Sequence, residues 1–254
     1  MNIIFSSFGN DSLALIQWAI DNKLDNVVVA YSNTKWGRDD WQQRVDTARE
    51  WLKGHNITTA IISSEGFENL VRRKKAFPTN GWGFCSYELK IAPAMRWLDL
   101  VNPGKTANCY TGVMRIESQS RKNWPEVIES SENHGGRTLI SPMAAFTEAQ
   151  RDELLSRTPF DKLEHRSAEC WPCINANKKD LQMIEPERIR FIDEFERSMG
   201  VGIRSGNPKY MFRAKKHGGA EGVQQVYDRA CSGAKHYSPD QDDLFGCDSG
   251  FCGI

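Results

Sequence analysis

The stretch Ser7-Phe8-Gly9-Asn10-Asp11-Ser12 lies between two apolar segments, Ile3-Ile4-Phe5 and Leu13-Ala14-Leu15-Ile16-Gln17-Trp18-Ala19. The first reads as a short buried strand and the second as a helix. A strand, a tight glycine-bearing turn and a helix opening with Asp and Ser make a cradle for anions. Unpaired N–H groups at a helix start point outward, and the helix dipole favours negative charge there. Gly9 lets the backbone approach a phosphate closely, and Ser12 adds a hydroxyl donor. The stretch is not G-x-x-x-x-G-K-(S/T), because no lysine precedes Ser12, and it is not G-x-G-x-x-G. The plainer alternative is that Asp11 or Ser12 merely caps a helix.

Outward from this turn, strand and helix signals alternate. Val27-Val28-Val29-Ala30-Tyr31, Ile57 to Ser63 and Ala107 to Val113 read as further strands. Asp40 to Gly54 reads as a helix with Trp41, Val45, Ala48 and Leu52 on one side. Ser86 to Leu98 is helical in pattern but carries Pro93, which kinks it or sits near its start. Such alternation predicts an α/β fold, a parallel twisted sheet with helices on both faces. Ligands then bind beyond the carboxyl ends of the strands. The Ser7–Ser12 turn, the loop Ser32-Asn33-Thr34 and the loop from Gly112 to Arg121 all fall on that edge.

The second half differs. Thr147 to Leu155, Asn175 to Met183 and Pro186 to Met199 read as helical, and strand signals are scarce. Gly200 to Gly222 reads as a loop, and Gln241 to Ile254 as a polar, Gly-rich tail expected to be disordered. The expected organisation is a nucleotide-binding α/β domain over 1–145 and a helical, cysteine-bearing region over 146–254. Lys+Arg and Asp+Glu both number 33, so no global field draws the chain to nucleic acid or membrane. No run of 18 apolar residues occurs, and no signal-peptide pattern opens the chain. A cytoplasmic location without membrane association is expected. Seven cysteines then suggest metal ligands or redox groups rather than a disulfide framework.

Two later segments carry chemistry. In Gly112-Val113-Met114-Arg115-Ile116-Glu117-Ser118-Gln119-Ser120-Arg121, two guanidinium groups bracket hydroxyls and a carboxylate just after a strand. Arg115 and Arg121 can grip phosphate, sulfate or carboxylate with paired hydrogen bonds; a solvated helix start with an Arg–Glu pair is the alternative. In Cys170-Trp171-Pro172-Cys173, the spacing lets two thiolates hold one metal or one cluster edge. Cys109, in a strand, reads as a buried apolar residue, and Cys231 has no assigned role. The basic runs Arg72-Arg73-Lys74-Lys75 and Lys209 to His217 are solvated faces or nucleic-acid contacts, the second with interleaved aromatics.

Taken together, these segments resemble the PP-loop pyrophosphatases, the adenine nucleotide alpha hydrolases, in their PAPS reductase-like branch. The opening turn is similar to S-(G/F)-G-x-D-S. The Gly112 segment is similar to G-x-R-x-x-E-S-x-x-R, with Met114 lengthening the Gly-to-Arg spacing by one. Arg166 and Cys170 to Cys173 match an R-x-x-x-C-x-x-C segment, and Cys85, Lys90 and Pro93 match C-(C/T)-x-x-x-K-x-x-P. The resemblance runs from Ser7 to roughly Asp180. It implies that Ser7, Phe8, Gly9, Asn10, Asp11, Ser12, Ser32, Thr34 and Gly112 bind an adenine nucleotide, ATP or PAPS/APS, with Mg²⁺ screening the phosphates. It implies catalytic roles for Asp11, Lys90, Arg115 and Arg121. It also implies metal ligation by Cys85, Cys170 and Cys173, with Cys247 or Cys252 as outside candidates. Ser86 replaces the second cysteine of cluster-bearing reductases. A 4Fe–4S cluster, a zinc site and a redox thiol pair remain open as readings of this cysteine set. The E-C-G-(I/L)-H segment of true PAPS reductases is missing, Cys252-Gly253-Ile254 being a partial echo. Two reactions follow from the resemblance: adenylation of a substrate with pyrophosphate release for sulfur transfer, possibly to nucleic acid, or reduction of a sulfonucleotide by Cys252. Either implies an electron- or sulfur-donor protein. A non-catalytic module with structural zinc is the third reading.

Overall fold

The computed structural model describes residues 1–79, 82–203, 206–212 and 222–232. Six strands form one sheet: β1 (Asn2–Phe5), β2 (Val27–Asn33), β3 (Thr58–Ser63), β4 (Asn108–Tyr110), β5 (Val127–Ser131) and β6 (Arg137–Ile140). Their order is β3-β2-β1-β4-β6-β5. All pairings are parallel except β5 with β6, which is antiparallel and irregular between Ile128 and Ser131. The sheet is therefore the expected parallel one, with a single reversed edge strand added. The reversal needs only a short connection, Glu132 to Gly136, rather than a crossover helix.

The helices are α1 (Asn10–Asp21), α2 (Trp41–Gly54), α3 (Phe67–Lys74), α4 (Phe84–Ser86), α5 (Ala92–Val101), α6 (Glu148–Leu155), α7 (Lys178–Gln182), α8 (Pro186–Ser198) and α9 (Val223–Cys231). A π-helical turn over Tyr87–Ile91 joins α4 to α5, and Pro93 sits in the first turn of α5, where its missing N–H costs nothing. Alternation along β1 sends Ile4 into one core and Ile3 and Phe5 into the other. Leu13, Leu15 and Ile16 of α1 share the first core with α2, α3, α8 and α9, while Ala94 and Leu98 of α5 fill the second. Both sheet faces are thus covered. Among the described residues no helix is long and apolar enough to cross a membrane.

The chain runs from β1 outward to β3, then returns to place β4 on the other side of β1. Strand order reverses between β1 and β4, the switch point beyond whose carboxyl ends open α/β sheets hold ligands in a crevice. Strand β4 stops at Tyr110, three residues short of the expected Val113; the Thr111 N–H makes one further bond to the Ile140 carbonyl of β6 at 3.1 Å before the chain turns onto α1 at Gly112.

Candidate nucleotide and thiol site

In the turn after β1, Phe8 and Gly9 play different parts. Phe8, not Gly9, holds the left-handed backbone, with φ of 59°. A bulky side chain tolerates that region only when its surroundings enforce it. Here the Phe8 ring is fully buried, 5.5 Å from that of Tyr31, and its carbonyl accepts a 2.8 Å bond from Arg44 Nε. Gly9 has φ of −78° and is needed for space instead. A Cβ there would lie 2.9 Å from Ser167 Cβ. No side chain caps α1: Ser12 Oγ turns back to donate to the Gly9 carbonyl at 3.2 Å, and Asp11 pairs elsewhere. Neither residue is a simple cap, so the first-turn amides of α1 have no side-chain cap bond from the N-cap residue.

Gly112 closes the opposite wall. A Cβ at this position would lie 2.9 Å from the Asp11 carbonyl oxygen and 3.1 Å from its carbon, both backbone atoms. The loop after β4 therefore rests directly on the start of α1. Asp11 is buried and pairs with Arg151 of α6 at 3.0 Å. Burial, reinforced by the Glu117 carboxylate, pushes its pKa up to about 7, against the pull of Arg151. The Glu117 carboxylate thus faces Asp11 within this cluster. Glu117 also accepts from Arg121 Nη1 at 2.5 Å and from the Met114 amide at 3.1 Å.

The predicted arginine pair divides. Arg121 is buried in this charge cluster. Arg115 turns away, donating from Nε to the Trp124 carbonyl at 2.8 Å and facing Glu126 at 3.5 Å. Sequence reading missed Arg151, which stands 140 residues from Asp11 with no motif to mark it.

A covering segment ties the turn to the thiols. Asn10 and Leu163 exchange two 2.9 Å bonds, side chain to backbone in each direction. Ser167 reaches Gly9, and Arg38 N–H donates to the Ala168 carbonyl at 2.9 Å. Trp171 N–H donates to the Trp36 carbonyl at 2.8 Å, so Trp36 and Cys170 pair as in a parallel ladder. Thr34 Oγ1 donates to the Glu169 carbonyl at 2.7 Å and lies 3.5 Å from Cys170 Sγ. Ser32, near the end of β2, is buried beside it. Ser167 Oγ, Thr111 Oγ1 and Arg44 Nη2 are buried atoms without a hydrogen-bond partner, and all three residues border the turn.

Cys85, Cys170 and Cys173 come together from two distant segments around Lys90. Each of the three thiols interacts electrostatically with that ammonium, and Cys85 with both of the others. Lys90 and Glu169 form a buried ion pair. Burial alone lowers a lysine pKa; the Glu169 carboxylate and the thiols outweigh it and hold Lys90 charged. Burial pushes the Cys85 thiol up to about 12 and the Cys170 thiol up to about 11. Both therefore carry protons at neutral pH until an oxidant or metal removes them. Among the described residues no three His, Cys, Asp or Glu side chains are drawn into a metal-holding group. The donor chemistry is that of a soft metal or an iron–sulfur cluster, on thiols that are near one another but not closed around a centre. Cys109 is fully buried and apolar in setting; Cys247 and Cys252 lie outside the described residues.

The basic runs are otherwise employed. Arg73 pairs with Glu65 and Glu88, Lys74 with Glu88, and Arg72 stacks on Phe195. Phe212 of the second run is buried and Tyr210 half-buried; Arg213 to His217 lie outside the described residues.

Fold and site together define a doubly wound α/β protein with an amide-lined turn at its switch point. No protein-family model and no curated protein matches the sequence. Among solved structures, the chain is similar to a phosphoadenylyl-sulfate (PAPS) reductase from Candida auris in a phosphate complex. The TM-score is 0.45 and the identity 16%, over 63% of this chain and 74% of that one. It is also similar to NMN synthetase from Francisella tularensis, with a TM-score of 0.44 and 12% identity, over 94% of this chain and 89% of that one. At these identities nothing about the site or its reaction follows from either likeness.

Proposed function

We propose that the chain is a PP-loop enzyme that binds an adenine nucleotide on the Ser7–Ser12 turn and uses ATP to adenylate a substrate for sulfur transfer. One observation carries this reading. The segment from Ser167 to Cys170 touches the phosphate turn at Gly9 and places a cysteine beside Thr34, joining an anion cradle to a thiol cluster at one sheet edge. The motif resemblance of the sequence supports it.

The chemistry assigned to the residues is as follows. First-turn amides of α1 and the Ser12 hydroxyl bind the pyrophosphate end. A substrate oxygen forms a bond to the α-phosphorus while the α–β anhydride bond breaks and pyrophosphate leaves. Asp11 and Glu117 are facing oxygen donors that would hold a Mg²⁺. Arg121, beside Glu117, sets the charge of this end of the crevice. A sulfur nucleophile then displaces AMP. Cys85, Cys170 and Cys173 would hold a 4Fe–4S cluster, which supplies sulfur or electrons when bound; zinc is the alternative occupant. Lys90 offsets the negative charge of the thiolates.

A second reading, sulfonucleotide reduction, is favoured by the tight seat of Gly112 on Asp11, which brings the Gly112–Arg121 segment to the turn. Protein purified without oxygen separates the readings. Pyrophosphate release from ATP, lost in Asp11→Asn, supports adenylation. Sulfite release from PAPS or APS, lost in Cys252→Ala, supports reduction. A colourless zinc protein that turns over neither nucleotide refutes both.

A further inference from the structure

Helix α8 carries a buried carboxylate that the nucleotide and thiol site does not use. Glu196 is shut off from solvent, and its two oxygens serve two different segments. Oε1 accepts from the Met211 N–H at 2.7 Å, and Oε2 accepts from the Val223 N–H at 2.8 Å. Met211 belongs to the segment 206–212, and Val223 opens α9. No side-chain cap bond comes from the N-cap residue Gly222, so Glu196 supplies the cap of α9 from another helix. The fit is close. A Cβ at Gly222 would lie 2.9 Å from Glu196 Oε2 and 3.1 Å from the Tyr210 ring. Met211, Phe212, Val223 and Val226 share one buried core with Ile192 and Phe195 of α8.

Nothing in this seat answers the charge of the carboxylate. The charged group that acts on it is Asp193, one turn earlier on α8, which is negative itself and pairs with Arg197 at 2.7 Å. The buried face of α9, made by Val223, Val226 and Ala230, carries no titratable group, and the segment 206–212 brings the Tyr210 ring. Arg72 of α3 is engaged on the Phe195 ring and on Ser198. Among the described residues no cation acts on Glu196. The two amides and the start of α9 favour the ionised form, yet burial outweighs them and pushes the pKa up to about 7. Gln182 of α7 holds the far end of α9, donating from Nε2 to the Ala230 carbonyl at 2.7 Å.

We propose that Glu196 is a proton-controlled clasp: protonated, it keeps the 206–212 segment and the start of α9 docked on α8, and ionised, it lets that docking loosen from the Val223 end. The sign follows from linkage. The docked carboxyl keeps its proton to higher pH than a released glutamate, whose ordinary value is 4.5. Docking is therefore strongest below that value and weakens as pH rises through 7, by about tenfold between pH 6 and 8. The clasp stands apart from the Ser7–Ser12 turn and from the thiols, so it holds whatever reaction the chain performs.

Hydrogen exchange of the full chain at about pH 6 and about pH 8, corrected for the intrinsic rate at each pH, tests the clasp. The Val226 N–H, bonded to the Gly222 carbonyl at 3.2 Å, reports the clasped end of α9. Its protection falls about tenfold from the lower to the higher pH in the unaltered chain. In Glu196→Gln, which keeps one acceptor oxygen and cannot ionise, protection is lower at both values and does not change between them. A purely structural carboxylate would lower protection in the variant yet leave the unaltered chain level across this range. Level protection in the unaltered chain, or the same fall in Glu196→Gln, overturns the proposal. Carboxyl-carbon magnetic resonance of the unaltered chain gives a second reading that needs no variant. A Glu196 midpoint near 7 supports the clasp, and one near the ordinary 4.5 overturns it.

Discussion

Three residues of the turn show how local rules and tertiary demands divide the work. Phe8 takes the conformation that glycine usually supplies, and its buried ring and accepting carbonyl hold it there. Gly9 and Gly112 are small because backbone or side chain of another element occupies the space a Cβ would need. The motif was therefore visible in sequence, but the reason for each glycine was not, since Ser167 and Asp11 approach from distant or separate elements. Gly112→Ala is expected to destabilise the fold by about 1–3 kcal/mol through overpacking. It should also weaken nucleotide binding, because the α1 start must shift. Urea unfolding and nucleotide titration of the same variant check both; an unchanged midpoint would show that the contact relaxes freely.

At the scale of elements, strong signals survived and short ones did not. β1, β2 and β3, rich in Val and Ile, were legible from the chain, as were α2 and α8 with their apolar stripes. β5 and β6 escaped notice because β5 is mostly exposed and polar and β6 has only four residues. Of the helix α3 only its basic end, Arg72 to Lys74, was singled out, and α9 falls in a stretch to which the sequence reading assigned no element. The thiol cluster was legible only through resemblance, since nothing local links Cys85 to Cys170. Its foundation, the Lys90–Glu169 pair, joins the π-helical turn to the covering segment. Lys90→Met leaves a buried carboxylate without its cation and should cost about 3–5 kcal/mol. The double variant Lys90→Met/Glu169→Leu should recover most of that loss, read as the midpoint of urea unfolding; no recovery would mean that the pair is not the source of the cost.

For the molecule as a whole, one buried histidine sets an acid limit. His134 is fully buried, against the Phe5 ring and beside Arg137, and its Nδ1 bonds Ser131 Oγ at 2.8 Å. Burial pushes its pKa down to about 3, with the Arg137 charge adding to the shift. The unfolded chain takes up a proton near the usual value of about 6.5, which the folded chain refuses. Stability from this group is present above that pH and is lost as pH falls toward 3, by a few kcal/mol in all. Asp11 and Glu196, both pushed up to about 7, act in the opposite sense and lose stability as pH rises from their unfolded values to 7. His134→Asn should flatten the fall in denaturation midpoint between about pH 6 and 4, and an unchanged slope would place the acid limit elsewhere.

The ladder joining Trp36 to Cys170 has a temporal meaning as well. Its contacts span 135 residues between Thr34 and Glu169, and the bend after β1 leans on the same covering segment through Ser167 at Gly9 and Leu163 on Asn10. Closing so long an interval is slow and follows the nearer pairings. The bend and the thiol cluster are thus completed together, when one covering segment docks on both.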